Sequence, residues 1–235
     1  MNLDFAWLAD PLYLRWLASG TLTTMAVSAL GFVLMCVLGV LGAMVLHFRV
    51  PVLAGIVTVL VELFRNTPSL VQLFFLYFML SEMGVYLSDP VSGGKVPLFS
   101  GFACVVLMLG LYNGAIAVEI IRSGILAVPS QTVEGARSLG YTRWQIFRYV
   151  ELPMSVRLTA PLMANNIVTL IKTSSQASLV AVADLVYAAT QIMAENFKSL
   201  EVMIVVWLIY IVLVSVAVAV IGVASNHFAI PGYGK

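Results

Sequence analysis

Charge is what this chain has least of. Asp, Glu, Lys and Arg together make up 10% of its 235 residues, against 61% hydrophobic residues. A soluble domain carries roughly a quarter charged and about half apolar residues, so a water-borne globule is excluded and a membrane domain is expected. The net charge is +1 and no basic patch occurs, which leaves nothing for nucleic acid to bind. The two cysteines, Cys36 and Cys104, lie in apolar stretches and read as small buried hydrophobes rather than a disulfide or metal pair. No His/Cys/Asp/Glu cluster has ligand spacing, so no metal site is expected. A glycine-rich phosphate loop is also missing. ATP hydrolysis is therefore not expected here, and no catalytic residue is assigned. There is no internal repeat, low-complexity segment or soluble domain.

What is present is a series of apolar runs, read as one all-α, polytopic membrane domain over residues 1–235. Residues 1–20 mix Asp4, Asp10 and Arg15 with Trp7 and Trp16. They lack a cationic leader and a small-residue cleavage site, and suit an interfacial segment with aromatic anchors. Five transmembrane spans are expected at about 21–46, 52–80, 98–126, 155–175 and 202–224, each long enough to cross a bilayer. The second is interrupted by Glu62-Leu63-Phe64-Arg65-Asn66-Thr67-Pro68. Pro68 removes a backbone donor and disfavours helix at Thr67. Glu62 and Arg65 are three apart, close enough to pair. Two readings stay open: a gate near the bend built from Glu62, Arg65, Asn66, Thr67 and Pro68, or a structural ion pair holding the kink. Residues 81–97 form a loop outside the membrane.

The third span carries Asn113 and then Glu119 and Arg122, with Tyr112, Ile116 and Glu119 on one helix face. The fourth holds Asn165 and Asn166, then Lys172-Thr173-Ser174-Ser175-Gln176. A polar run inside an apolar region suggests broken helix lining a cavity. Residues 179–197, with Asp184 and Glu195, suit a short outer helix or re-entrant segment. A charged substrate crossing here needs partners, because unpaired charge is costly to desolvate. The candidates are Asn113, Glu119, Asn166, Lys172, Thr173, Ser174, Ser175 and Gln176. The alternative is that Glu119 and Lys172 are structural, paired with each other or with Arg122.

Residues 130–152 form the longest polar insert. A helix from Gln131 to Leu139 is closed by Gly140, which suits the left-handed position past a helix end. Thr142 caps a second helix with Gln145 at capping-box spacing, and that helix runs to about Leu152 before Pro153 disturbs it. This elbow bears Arg137, Arg143 and Arg148. On its side of the membrane lie also Arg49, Arg122 and Lys235. The other side holds Arg15, Lys95 and Lys198, diluted by Asp4, Asp10, Glu82, Asp89, Glu195 and Glu201. The cation bias makes the elbow side cytoplasmic, with the N-terminus outside and the C-terminus inside.

Three segments occur in one order: FRNTPSLVQLFF, VEIIRSGILAVPSQTVEGARSLG and LIKTSSQASLVAVADL. From about Thr21 to Tyr210 the chain resembles permease subunits of polar amino acid ABC importers, the histidine/arginine/glutamine/opine permease family. It departs at Gly135, usually Ala, and at Asn66, where Gly is common. Thr173 and Gln176 replace the acid and the Leu of a KDTSL run. The resemblance implies the ABC type I importer permease fold in a bacterial cytoplasmic (inner) membrane. It also implies that the elbow, through Glu134, Gly135, Ala136, Leu139, Gly140, Leu152 and Pro153, couples to an ATPase. The implied partners are an identical or homologous permease subunit, two ATPase subunits that bind ATP and Mg, and an extracytoplasmic amino acid binding protein. ATP binding would draw two such elbows together and switch the pore. A different class, a stand-alone ion-coupled secondary amino acid carrier, would use Glu62, Glu119 and Lys172 as relays. Five spans without an inverted repeat tell against it. A non-transporting scaffold explains neither the elbow nor the intramembrane charges.

Overall fold

Helix α1 (Pro11–Phe48) starts well before the first apolar run, because Asp10 and Pro11 make a helix start. The Leu12 amide donates to the Asp10 carboxylate at 2.8 Å, and Pro11 sits at the first turn, where its missing donor costs nothing. Arg15 and Trp16 are thus part of the helix rather than of a separate interfacial segment. In this computed structural model the described residues are 3–88, 95–97 and 99–227, with backbone alone at 87–88, 95–97 and 224–227. The expectations placed on Asp89, Lys235 and the start of the third span at Leu98 lie outside them.

After a turn at Arg49–Val52, α2 (Leu53–Asn66) and α3 (Ser69–Glu82) follow, bent by 112° across Pro68. Strands β1 (Tyr86–Ser88) and β2 (Lys95–Pro97) pair antiparallel, Leu87 opposite Val96. Ser100 caps α4 (Gly101–Leu126) through the Ala103 amide. The elbow comprises α5 (Ser130–Ser138), α6 (Arg143–Ile146), a π-helical turn at Phe147–Glu151 and α7 (Leu152–Leu158). Then come α8 (Ala160–Thr173), a 3-10 continuation at Ser174–Val180, α9 (Leu185–Asn196) and α10 (Ser199–His227). Helices α1, α4 and α10 are each long and apolar enough to cross a membrane. The α2–α3 pair and the α8–α9 segment, the latter bent by 50°, bring the number to five if each bent pair is one span.

The core is the pairing of α1 with α4, around fully buried Val27, Met35, Met108 and Leu109. Hydrocarbon gives helices no hydrophobic drive to associate, so close contact between small residues supplies the attraction. A Cβ on Gly42 would lie 2.5 Å from Val118 Cγ2, and one on Gly110 would lie 2.4 Å from Leu34 Cδ2. Helix α8 runs antiparallel to α4. Gly124 lies against Ser155 and Thr159, Asn113 meets Asn166, and Gly101 lies against the Val180 carbonyl.

Candidate functional site

The elbow's turn is closed by backbone and side-chain hydrogen bonds on both sides of Gly140. Gly140 adopts φ +83°. Its amide donates to the Arg137 carbonyl at 3.0 Å, and the Tyr141 amide donates to the Ala136 carbonyl at 3.2 Å. This pair of bonds is a Schellman closure, which satisfies carbonyls that a helix end leaves free. Thr142 then opens the next helix. The Gln145 amide donates to Thr142 Oγ1 at 3.3 Å, and the Thr142 amide donates to Gln145 Oε1 at 2.8 Å.

The second helix does not stop at Pro153. It continues to Leu158 through the π turn. That turn places Pro153 in the opening residues of α7, where the absent N–H is tolerated.

Long-range contacts strap the elbow to the end of α1. Arg143 Nη2 donates to the His47 carbonyl at 3.3 Å, and its guanidinium lies 5.3 Å from the centre of the Phe48 ring. His47 stacks on buried Phe147 at 5.3 Å and places Nε2 3.0 Å from Glu151 Oε2. His47, Phe48, Phe147 and Glu151 were not singled out in the sequence. The only local hint was aromatic Trp144 and Phe147 at helical spacing with an acid four residues on. Among the coupling candidates, Glu134, Gly135, Leu139 and Gly140 are exposed, Leu139 at 80%. Ala136 is buried, and Leu152 and Pro153 are half-buried. A Cβ on Gly135 would meet nothing within 4 Å, so the position has room for the more usual Ala.

At the α2–α3 bend the expected alternative of a Glu62–Arg65 ion pair does not form: both side chains are exposed, and neither makes an ion pair among the described residues. Buried Gln72 holds the bend instead. Its amide nitrogen donates to the Phe64 carbonyl at 2.8 Å, to the Thr67 carbonyl at 3.1 Å and to Thr67 Oγ1 at 2.8 Å. Thr67 itself donates to the Leu63 carbonyl at 2.7 Å. Asn66 and Pro68 are exposed.

The Lys172–Gln176 run is not broken helix. From Ser174 the helix tightens into a 3-10 turn, because hydroxyls here bond carbonyls three residues back: Ser174 to Ile171 at 2.7 Å and Ser175 to Lys172 at 2.8 Å. The break comes later, at Ala181, with φ +56°. Gln176 Nε2 donates to Ser69 Oγ at 3.1 Å, joining this turn to the start of α3. Ser174 is buried and Thr173 half-buried, while exposed Lys172 and partly buried Ser175 line a cleft against α10.

The remaining candidates are not gathered around that cleft. Asn113 Nδ2 donates to the Leu109 carbonyl at 2.9 Å, and Asn166 Nδ2 donates to the Asn113 carbonyl at 3.0 Å. Both are buried where α1, α4 and α8 pack, and neither lines the cleft. Glu119 meets Arg122 at 3.4 Å. From the antiparallel register of α4 and α8, Glu119 and Lys172 are separated by roughly 15 Å along the helix axes at 1.5 Å per residue. One amino acid cannot hold its ammonium on one and its carboxylate on the other.

Residues 35–228 match the family described as binding-protein-dependent transport system inner membrane component. The chain is 32% identical over 212 residues to a probable amino-acid ABC transporter permease protein of Sinorhizobium fredii, across 90% of this chain and 87% of that one. It is 30% identical over 215 residues to the glutamine transport system permease protein of Escherichia coli K12, across 91% and 92%. A crystal structure of an amino acid ABC transporter with histidines superposes at TM-score 0.81 and 26% identity, covering 97% of this chain and 100% of that one. An inward-facing methionine ABC transporter superposes at TM-score 0.76 and 19% identity across 94% of this chain, a likeness of fold.

Proposed function

The chain belongs to the binding-protein-dependent transport system inner membrane components, and on that premise we propose that it forms the translocation pathway for a polar amino acid in an ATP-driven importer. Membership makes it a multi-pass protein of the cytoplasmic membrane and a permease subunit with the ABC importer permease fold. It also favours the importer over a carrier working alone. The amino acid substrate is inferred from the relatives, which are amino acid permeases.

In this reading the chain pairs with an identical or homologous permease and rests on two ATPase subunits. It takes substrate from an extracytoplasmic binding protein. ATP and Mg are held by the ATPase subunits. The N-terminus lies outside, and the elbow and C-terminus lie in the cytoplasm. The observation that carries the reading is the elbow's geometry. It is bonded within itself and strapped to α1 by Arg143 and His47, yet it leaves Glu134, Gly135, Leu139 and Gly140 exposed. A knob of this kind passes a push from an ATPase into α1, and through the tight α1–α4 contact into the span bundle.

Two measurements test this. Uptake by the reconstituted permease, ATPase and binding protein should require ATP; ion-driven uptake without the ATPase would overturn it. A cysteine replacing Ser138 should be labelled only from the cytoplasmic side. One replacing Ser92, outside the described residues, should be labelled only from the other side. Labelling of both from one side would overturn the topology.

A further inference from the structure

We propose that the cleft between α8 and α10 is a carboxylate-binding subsite on the translocation pathway. We further propose that it favours amino acids with neutral or acidic side chains over cationic ones. The proposal rests on the importer reading above.

The cleft has a volume of about 480 Å³ and is lined by Lys172, Ser175, Trp207, Tyr210 and Ser215, with aliphatic side chains of α10 between them. Its polar groups are rich in donors. The ammonium and the indole N–H only donate, and each hydroxyl both donates and accepts. Lys172 makes no ion pair among the described residues, although it sits near the end of a mostly apolar helix. A cation at membrane depth does not face hydrocarbon alone, and faces water, protein or an anion. Among the described residues no carboxylate lines the cleft. Asp184 is near enough to Tyr210 to interact with it electrostatically, but it is fully buried, caps α9 and does not line the cleft. Glu119 is engaged with Arg122 toward the elbow end.

An amino acid placed here puts its carboxylate on Lys172. Ser175 already donates its proton to the Lys172 carbonyl, so its oxygen is left as an acceptor for the ammonium. The Tyr210 hydroxyl is buried and faces Thr24 and Asp184, neither of which lines the cleft, so Tyr210 offers the cleft its ring rather than its hydroxyl. A neutral side chain rests against Trp207 and the aliphatic wall, and an acidic one adds a second anion near Lys172. A second cation would share the cleft with Lys172 and meet no carboxylate among the described lining residues, and like charges held a few ångströms apart repel. A lipid phosphodiester offers the same oxyanion chemistry, so the two sources must be separated by experiment.

The test uses the intact permease–ATPase complex in nanodiscs, without binding protein, and measures binding of radiolabelled L-glutamate, L-glutamine and L-arginine. The wild type should bind glutamate and glutamine at least about tenfold more tightly than arginine. Lys172→Gln should weaken glutamate most, and Lys172→Glu should turn the order toward arginine. Ser215→Ala should weaken all three without changing their order. An unchanged order in an assembled Lys172→Glu complex overturns the subsite. So does a Lys172→Gln complex that loses co-purified anionic lipid, read by mass spectrometry, but binds amino acids as before. Either failure leaves ATP-dependent uptake intact, whereas failure of the importer reading would abolish it in the wild type.

Discussion

The elbow and the α2–α3 bend are both places where a helix stops and the chain turns, and they are finished in different ways. At the elbow, backbone groups freed by the ends of α5 and α6 find partners: Gly140 and Tyr141 donate backward, and Thr142 and Gln145 exchange bonds. At the bend one side chain, Gln72, spans the gap. Its own carbonyl oxygen stays buried without a partner, as does that of nearby Gln176. A turn with many independent bonds behaves as one rigid piece. A turn resting on one amide can change shape when that amide changes partner. The first suits a lever and the second suits a gate.

The largest effect should come from breaking the lever. Gly140→Val places a β-branched residue in the left-handed region, which costs about 1–2 kcal/mol. That is enough to depopulate the closed elbow by roughly tenfold. The complex should still insert, while uptake and substrate-stimulated ATP hydrolysis collapse. Normal uptake by a well-inserted Gly140→Val variant would show that the elbow does not couple.

Breaking the bend should matter next. Gln72→Leu removes the three hydrogen bonds at once and exposes carbonyls at Phe64 and Thr67 to an apolar neighbour. Buried bonds of this kind contribute about 1 kcal/mol each, which corresponds to a fall in melting temperature of several degrees for a chain of this size. Transport rate or selectivity should shift while the ratio of uptake to ATP hydrolysis stays near wild type. A silent Gln72→Leu variant would mean that the bend is held elsewhere and that the contrast with the elbow fails.

The same contrast explains what could be read from the sequence. The elbow's turn chemistry is local. Gly140 ends a helix, and Thr142 with Gln145 begins the next within a few residues, so these features are visible in the order of amino acids. The start of α1 is also local, in Asp10 and Pro11, but it lies in a mixed polar stretch ahead of the uninterrupted apolar run that begins at Thr21. The ties that give the elements their roles join distant residues. Arg143 reaches His47, 96 positions earlier, and Gln176 reaches Ser69, 107 positions earlier. These depend on the register in which α1, α4 and α8 pack, which periodicity does not reveal. Lys172–Gln176 looked like a break because polar residues cluster there. The serine hydroxyls instead bond carbonyls of their own turn and keep the chain helical.

A smaller loss should follow from loosening the elbow's strap while leaving its turns intact. Arg143→Met keeps the aliphatic stem but removes the hydrogen bond to the His47 carbonyl and the contact with the Phe48 face. An exposed cation over a ring is worth about 0.5–1 kcal/mol. Uptake per ATP should fall by roughly two- to fivefold with little change in melting temperature. A loss as deep as that of Gly140→Val would place the strap, rather than the glycine turn, at the centre of coupling.

The smallest effect belongs to a tie that lies in neither region. Asp4 and Lys198 pair at the end of the molecule opposite the elbow, where both side chains are partly exposed. The hydrogen bond from Lys198 holds the Asp4 carboxyl below its usual range, helped by the Ala6 amide. A carboxylate so depressed contributes stability above the unfolded-state value, about 3.9 for aspartate, and loses it as pH falls through the lower folded-state value. Melting temperature should therefore be insensitive to this pair between pH 7 and pH 5, with any loss appearing only below about pH 4. Solvent and salt screen such a pair, so Lys198→Met should leave melting, uptake and coupling within error of wild type at pH 7. Comparing that variant with Arg143→Met, each losing one exposed cation, separates charge from position. If Lys198→Met lowers uptake per ATP as much as Arg143→Met does, loss of surface charge explains both, and the elbow's contacts with α1 lose their special standing.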